Sequence, residues 1–299
     1  MGDIVHTIAS YNISWANSSG IFRDNVDEHK PRPTEHNFIR RASKPYEFWN
    51  NVIEHISNFI RIHNPSVIGL QEAGKTEMIT DVAIIKANYN HHINIQGPAC
   101  LMTLWRKDLG EIVKESSGDL GGGHDLGRPI SIIYTTKGYL FVNLHSPHRL
   151  TVDGQQATIS DRVQPFFDEF KIDLTRIYVM GDFNNPNYLN SNPLRLRQVT
   201  LTPGNDAETL SCCYKTWKPK PSEYRRGGDY CFGQKPSLPL MVFPSPTDIT
   251  GGSVASDHEM VYASFLSNPD EPPKAGGAKR KLSSNKRTRK RVMRKKRTA

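Results

Sequence analysis

Five oxygen-bearing side chains stand where short apolar runs give way to turn residues: Glu72, Asp182, Asn184, Asp229 and Asp257. Each alone reads more readily as a cap or a turn former. Together they could not converge without a compensating cation, because clustered carboxylates repel and push one another's pKa values up. Oxygen ligands with no cysteine among them suit a hard dication, Mg²⁺ or Mn²⁺, and not structural zinc. The focus of the set is Ile177-Tyr178-Val179-Met180-Gly181-Asp182-Phe183-Asn184, which reads as a buried strand that stops at a glycine and delivers a carboxylate and a carboxamide. Asp182 and Asn184 are two residues apart, so a strand that stays extended for one more step would point both the same way, a base and a hydrogen-bond donor on one substrate atom.

The elements that must carry these groups follow from periodicity. Residues 4–15 read as a first strand with Ile8, Ser10, Asn12 and Ser14 on one face, so that Asn12 falls near its C-terminal end. Residues 16–45 turn polar and charged, too long for a plain connection. Phe48, Val52, Ile56, Phe59, Ile60 and His63 recur at helical spacing over 47–64, Pro65 breaks the helix, and a strand over 66–70 ends in Gln71-Glu72. A second helix is expected over 76–88, then strands at 91–95, 101–106, 130–135 and 139–145, and a surface helix over 151–170 leading to the strand at 177–181. Prolines interrupt the chain after Asn184, with short strands expected near 198–201 and 212–216. Asp229 opens a further strand, and 240–243 and 259–266 are the last two, with Ser256-Asp257-His258 immediately before the second. Strands and helices are mixed and several strands are joined by tight turns such as Lys137-Gly138, which argues for antiparallel or mixed sheets with helices outside.

The chain of 299 residues, 36 % hydrophobic, can bury a full core without staples. It has no run of about 18 apolar residues and no secretory n-region, and its four cysteines (Cys100, Cys212, Cys213, Cys231) show no paired metal spacing, so an intracellular, reducing compartment is expected. The formal charge of +9 is unevenly distributed: 13 of the 39 Lys and Arg lie in 274–299, which has no Asp or Glu, leaving 26 basic against 30 acidic residues before it. Residues 268–299 therefore read as a Pro/Gly hinge and a polybasic tail, disordered when free. Such a tail suits a nucleic-acid-binding arm or a nuclear import signal, with an anionic membrane as a third partner.

Seven segments in order, Tyr11-Asn12-Ile13-Ser14-Trp15, Gly69-Leu70-Gln71-Glu72, Gly127-Arg128-Pro129, Asn143-Leu144-His145-Ser146, Gly181-Asp182-Phe183-Asn184, Gly228-Asp229-Tyr230 and Ser256-Asp257-His258, span 1–267. Any one is weak evidence. The ordered set resembles the endonuclease/exonuclease/phosphatase superfamily, the metal-dependent phosphodiesterases typified by deoxyribonuclease I and AP endonucleases. The resemblance implies an α/β (α+β) fold, a four-layered sandwich of two mixed β-sheets flanked by helices, over 1–267. It implies that Glu72 is the principal ligand of Mg²⁺ (or Mn²⁺), with Asn12 beside it and Asp257 near the metal on the opposite wall. It further implies that Asp229 orients His258, that Asp182 aligns and helps deprotonate a water, that Asn184 holds phosphate or water, and that Arg128 contacts a phosphate oxygen through its forked donors. His145 is similar to the histidine of the deoxyribonuclease I branch, where an acidic partner also stands; no such partner is found before residue 101. His148 is given a supporting place at the phosphate.

Phosphodiester hydrolysis needs charge neutralisation on the non-bridging oxygens, an activated water and help for the leaving oxygen, and this set supplies groups for each. The expected function is a nuclease, endo- or exonucleolytic, gripping nucleic acid (DNA ahead of RNA) in part through the basic arm, with a monomer assumed. The alternatives are a phosphoinositide or sphingolipid phosphohydrolase held on an anionic membrane by the tail, weakened by the absence of the family's Trp-Cys-Asp-Arg signature, and a non-catalytic nucleic-acid-binding protein.

Overall fold

The computed structural model describes residues 3–13, 45–96, 99–121, 128–147, 150–185, 192–196, 200–203, 228–244, 256 and 258–268. Strands β1 (Ile4–Asn12), β2 (Val67–Gln71), β3 (Tyr89–Gln96), β4 (Ala99–Arg106), β11 (Pro236–Phe243) and β12 (Met260–Ser267) form one six-stranded sheet in the order β11-β12-β1-β2-β4-β3. Strands β5 (Ile112–Asp119), β6 (Pro129–Thr135), β7 (Leu140–His145), β8 (Ile177–Asp182), β9 (Thr202–Pro203) and β10 (Asp229–Gly233) form the other, in the order β5-β6-β7-β8-β10-β9. We call them the first and second sheet. Both are mixed, as expected: β1 and β2 run parallel, β7 and β8 run parallel, and the remaining pairs are antiparallel.

Alternation along each strand explains the layering. In β1, Ile8 joins the core between the sheets while Ala9 and Tyr11 face outward, where helix α1 (Pro45–His63) covers them with Trp49, Val52, Ile56, Phe59 and Ile60. Helix α4 (Val152–Glu169) packs Ile159, Val163 and Phe166 onto the second sheet, and its first turn is capped by Thr151, whose hydroxyl accepts from the Gly154 N–H at 3.1 Å. Four layers result, helix, sheet, sheet, helix, and this fold class is the one the sequence led us to expect.

Two elements differ from expectation. The helix expected over 76–88 is split into α2 (Thr76–Thr80) and α3 (Ala83–Asn88), because Val82 adopts an extended conformation (ψ 124°) between them. Strand β5 was not anticipated, since Lys114, Glu115, Ser116 and Ser117 hide the alternation; it is an edge strand whose polar residues face water. The short strand expected at 212–216 lies outside the described residues. No helix among the described residues is long and apolar enough to cross a membrane.

The topology sends one end of every central strand to the same pole. Parallel strands β1, β2, β7 and β8 arrive there with their C-termini, and their antiparallel neighbours β6, β10 and β12 leave it with their N-termini. The contact between Asn12, last in β1, and Asp182, last in β8, shows that both sheets present these ends together.

Candidate active site

Each wall of this pole is the end of one sheet. The first sheet contributes Asn12 from β1, Glu72 directly after β2, and His258 just before β12. The second contributes Arg128 before β6, His145 from β7, Asp182 from β8, Asn184 beyond it, and Asp229 from β10. Gly181 is required for the delivery of Asp182: a Cβ at this position would collide with the Leu144 backbone oxygen in the neighbouring strand.

Asp182 is the hub. Its Oδ2 accepts from Asn12 Nδ2 at 2.9 Å and its Oδ1 accepts from the Asn184 backbone N–H at 2.8 Å. In the ladders it lies opposite both His145 and Asp229. Two carboxylates directly opposite one another repel, and His258 relieves that repulsion, since its Nδ1 hydrogen-bonds Asp229 Oδ2 at 2.9 Å while a ligand-bearing atom of its ring stays within 4.8 Å of both carboxylates. Burial pushes the Asp182 carboxyl up, but His145, His258, the Asn12 amide and the Asn184 N–H together outweigh it and hold the pKa below the ordinary carboxylate range. The neighbours that count most are imidazoles and N–H donors, and they favour the ionised carboxylate.

His145 Nε2 lies 3.7 Å from both Glu72 Oε1 and Asp182 Oδ2, and the Arg128 guanidinium reaches the same ring nitrogen through Nη1. Glu72 and Asp182 are thus the acidic neighbours of His145 that the sequence did not identify; they come from different sheets, and one of them was already assigned to the metal. The Glu72 side chain is 17 % exposed against 3 % for Asp182, so it is the carboxylate that meets solvent. Its backbone lies in the left-handed region at φ 55°, unusual for a side chain this long and costing on the order of 1–3 kcal/mol. The surroundings must impose that conformation.

Asn184 also departs from expectation. It takes φ 51°, so the extended conformation ends at Phe183 and the Asp182 and Asn184 side chains do not project in register. Its N–H closes an Asx turn on Asp182, while Nδ2 donates to the Ser146 backbone oxygen at 2.9 Å. The carboxamide remains beside the catalytic candidates, by a turn and not by strand alternation. Sequence reasoning overlooked Ser256: its hydroxyl donates to the Asn12 backbone oxygen at 2.7 Å and accepts from the His258 N–H at 3.0 Å, latching the His258 segment to the end of β1. A serine two residues before a histidine is the pattern of an ST turn, the signal that could have found it.

Asp257 and His148 lie outside the described residues, as do Ser14, Trp15 and the basic tail. For a cation, Asp182, Asp229 and His258 form a compact group of possible ligands, but the 2.9 Å Asp229–His258 bond reads as a proton-holding pair. Glu72, the solvent-edge carboxylate, and Asn12, whose Oδ1 sits on the same amide that orients Asp182, are oxygen donors of the kind a hard dication takes. The residues present fit such an ion. The two thiols described, Cys100 and Cys231, are buried, and burial pushes the first up to about 11 and the second well above its usual value, so neither competes for it.

The model of the Endonuclease/Exonuclease/phosphatase family matches residues 9–258. No curated protein matches the chain by sequence. Among solved structures, an endonuclease/exonuclease/phosphatase family protein from Bacteroides thetaiotaomicron is similar at TM-score 0.63 and 15% identity, covering 91% of this chain and 98% of that one. D. rerio TDP2 complexed with a single-strand DNA product is similar at TM-score 0.54 and 13% identity, covering 88% and 99%. The Bacteroides thetaiotaomicron mannosyl-6-phosphatase Bt3783 is similar at TM-score 0.56 and 18% identity, covering 88% and 100%. At these identities the structural likeness speaks for the fold.

Proposed function

Because the chain belongs to the endonuclease/exonuclease/phosphatase family, whose members are divalent-metal-dependent hydrolases of phosphoester bonds, we propose that it is a Mg²⁺-dependent nuclease acting on DNA ahead of RNA. The observation that carries the reading is the Asp182 hub, an ionised carboxylate held between two imidazoles, with a second carboxylate, Glu72, at the solvent edge. Glu72, with Asn12 and Asp257, would hold the dication, which would supply positive charge to the phosphate. Asp182 orients the attacking water and takes its proton, and Asn184 fixes the far side of the same turn. Asp229 holds His258 by Nδ1, leaving Nε2 to face phosphate. Arg128 supplies the remaining cationic corner, donating to His145 Nε2, with His148 in support. The Arg128 Nε is buried with no acceptor among the described residues, a donor that a phosphate oxygen would satisfy.

The preference for a nucleic acid over a small phosphoester rests on the basic segment. Its 13 Lys and Arg, with no Asp or Glu among them, are a charge density that suits the phosphate backbone of a polymer. A small phosphoester would gain nothing from such a segment, whereas a nucleic acid would gain a sequence-independent grip. The test is hydrolysis of DNA, RNA, phosphoinositides and sugar phosphates by the Mg²⁺-loaded protein, with duplex binding measured across a salt titration for the full chain and for residues 1–273. Each phosphate neutralised contributes about 0.9 to the slope of log K against log salt, so truncation should flatten the slope while turnover of a short substrate survives. Identical slopes would place the grip in the body, and turnover confined to phosphoinositides would replace the nuclease reading with the membrane one.

A further inference from the structure

The catalytic candidates are divided between two sheets, so whatever fixes the distance between the sheets at this pole also fixes the site. Over most of their contact the sheets meet through side chains such as Ile8, Val67, Trp105, Phe141 and Met180, whose packing is non-directional. Directly beneath the site the contact changes character. Gln71 Nε2 donates to Asn143 Oδ1 at 2.8 Å, and Asn143 Nδ2 lies within hydrogen-bond reach of three acceptors of the first sheet, the backbone oxygens of Met102 (3.1 Å) and Leu70 (3.3 Å) and Thr103 Oγ1 (3.2 Å). Ser10 Oγ donates to Gln71 Oε1 at 3.3 Å, which leaves both atoms of the Gln71 amide engaged. Gln71 and Asn143 are both fully buried.

We propose that Gln71 and Asn143 are positioning residues, an inter-sheet clamp that sets the separation of Glu72 from His145 and Asp182. The clamp rests on the proposed function only for what those three residues do. Gln71 immediately precedes Glu72, whose left-handed backbone persists only if its surroundings over-determine it. Asn143 precedes His145 by two positions on the same face of β7 and pairs across the ladder with Met180, as His145 pairs with Asp182. A movement at either amide is therefore passed along rigid strand to the site. Gly69 shows how closely the parts are fitted: a Cβ there would lie 2.8 Å from Asn143 Oδ1 and 2.5 Å from Met180 Cγ, so only glycine admits the amide.

Energetics point the same way. Burying two amides costs desolvation that their mutual hydrogen bonds only balance, and replacing both partners by apolar groups of similar shape is often close to neutral for stability. An all-apolar contact would serve the fold as well. What it would lack is direction, since apolar side chains slide where hydrogen bonds hold registry to tenths of an ångström. A displacement of about 1 Å in a reacting group costs up to roughly a hundredfold in rate.

The test is the full-length double variant Gln71→Met/Asn143→Leu, compared with Ile8→Val/Phe141→Leu in the apolar part of the same interface. Three quantities are measured: thermal unfolding, kcat and KM on a short duplex, and Mn²⁺ affinity by calorimetry. The expected result is an unfolding midpoint no lower than that of the apolar control, kcat reduced at least about tenfold with KM within about threefold, and weakened Mn²⁺ binding. A kcat equal to that of the control would overturn the clamp and leave the pair purely structural. If the parent hydrolyses no nucleic acid, the functional reading fails separately, and Mn²⁺ affinity still decides: unchanged binding in the double variant overturns the clamp. Should the double variant not fold, Gln71→Met alone removes the donor to Asn143 Oδ1 at similar shape, and an unchanged kcat and Mn²⁺ affinity there would be equally fatal.

Discussion

A buried imidazole stands between the sheets at each end of the sandwich, and the two have opposite surroundings. At the far pole, His6 Nδ1 meets Ser66 Oγ at 2.8 Å, and Nε2 meets Ser267 Oγ at 3.0 Å and Tyr139 OH at 3.2 Å. Tyr139 stacks in turn with Phe141 and Tyr178 (ring centroids 6.0 and 6.5 Å apart), and the Arg176 guanidinium lies over its face at 5.2 Å. At the near pole, His145 has Glu72, Asp182 and Arg128 around it. Hydroxyls donate or accept as the ring requires, so the groups bonded to His6 carry no formal charge. Carboxylates and a guanidinium impose a field, hold a specific protonation pattern and remain costly to bury. The backbone shows the same contrast. Asn64, near the far pole, is left-handed at φ 44° where an asparagine commonly ends a helix, whereas left-handed Glu72 is where no helix ends. Similar burial thus goes with hydroxyl partners at one end and ionisable ones at the other.

That contrast can be broken first at the near pole. Asp182→Asn and His258→Ala should each lower kcat by about a hundredfold or more, the scale of an acid–base group, while thermal unfolding changes little. Steady-state kinetics on a short duplex separates the outcomes, and a loss confined to KM would make these residues binding groups. Next in size, Glu72→Gln should weaken divalent-cation affinity by roughly 10–100-fold, a range known for substitutions around metal sites, without unfolding the protein. Turnover undiminished in chelator would remove the metal from the mechanism altogether.

The far pole should respond inversely. His6→Ala removes a ring bonded to three hydroxyls and should destabilise the protein by about 2 kcal/mol, with kcat per folded molecule kept within about twofold. A fall in kcat as large as that of His258→Ala would show that the poles are coupled. The smallest effect is expected at His55, on the buried face of α1 against Tyr11 and Phe243, where burial lowers the pKa from 6.5 to about 4. The unfolded chain binds this proton and the folded one does not, so stability is fully present above about pH 6.5 and falls as pH drops toward 4. From about pH 7.5 to about pH 5.5 the loss from this group is about 1.4 kcal/mol. His55→Phe should remove that share of the acid sensitivity in denaturant titrations at the two pH values. An unaltered difference between them would mean that His55 is protonated in the fold.

Much of the architecture was legible from local pattern. Alternation in β1 separated Ile8, Ser10 and Asn12 from Ala9 and Tyr11, helical spacing located α1 to within two residues at either end, and the run into Gly181-Asp182 marked the end of β8. These are consequences of backbone periods that neighbours in sequence express without help. Strand β5 escaped because an exposed edge strand has no apolar face to betray it, and the helix expected over 76–88 hid an extended Val82 at its centre.

The residue types, their order and the division of charge between body and tail are written in the chain. Asn12 and Glu72 at the ends of the first two strands, and His258 before the last, could be nominated from it. Their partnerships could not. Asn12 meets Asp182 across 170 residues and Ser256 meets Asn12 across 244, and no local period carries information over such separations. The downward shift at Asp182, the left-handed turns at Glu72 and Asn184, and the Gln71–Asn143 amides depend on which groups two independently formed sheets bring face to face. Electrostatic and hydrogen-bond energies fall off within a few ångströms in a medium whose polarity the fold itself creates, so they acquire values only once the sheets have packed.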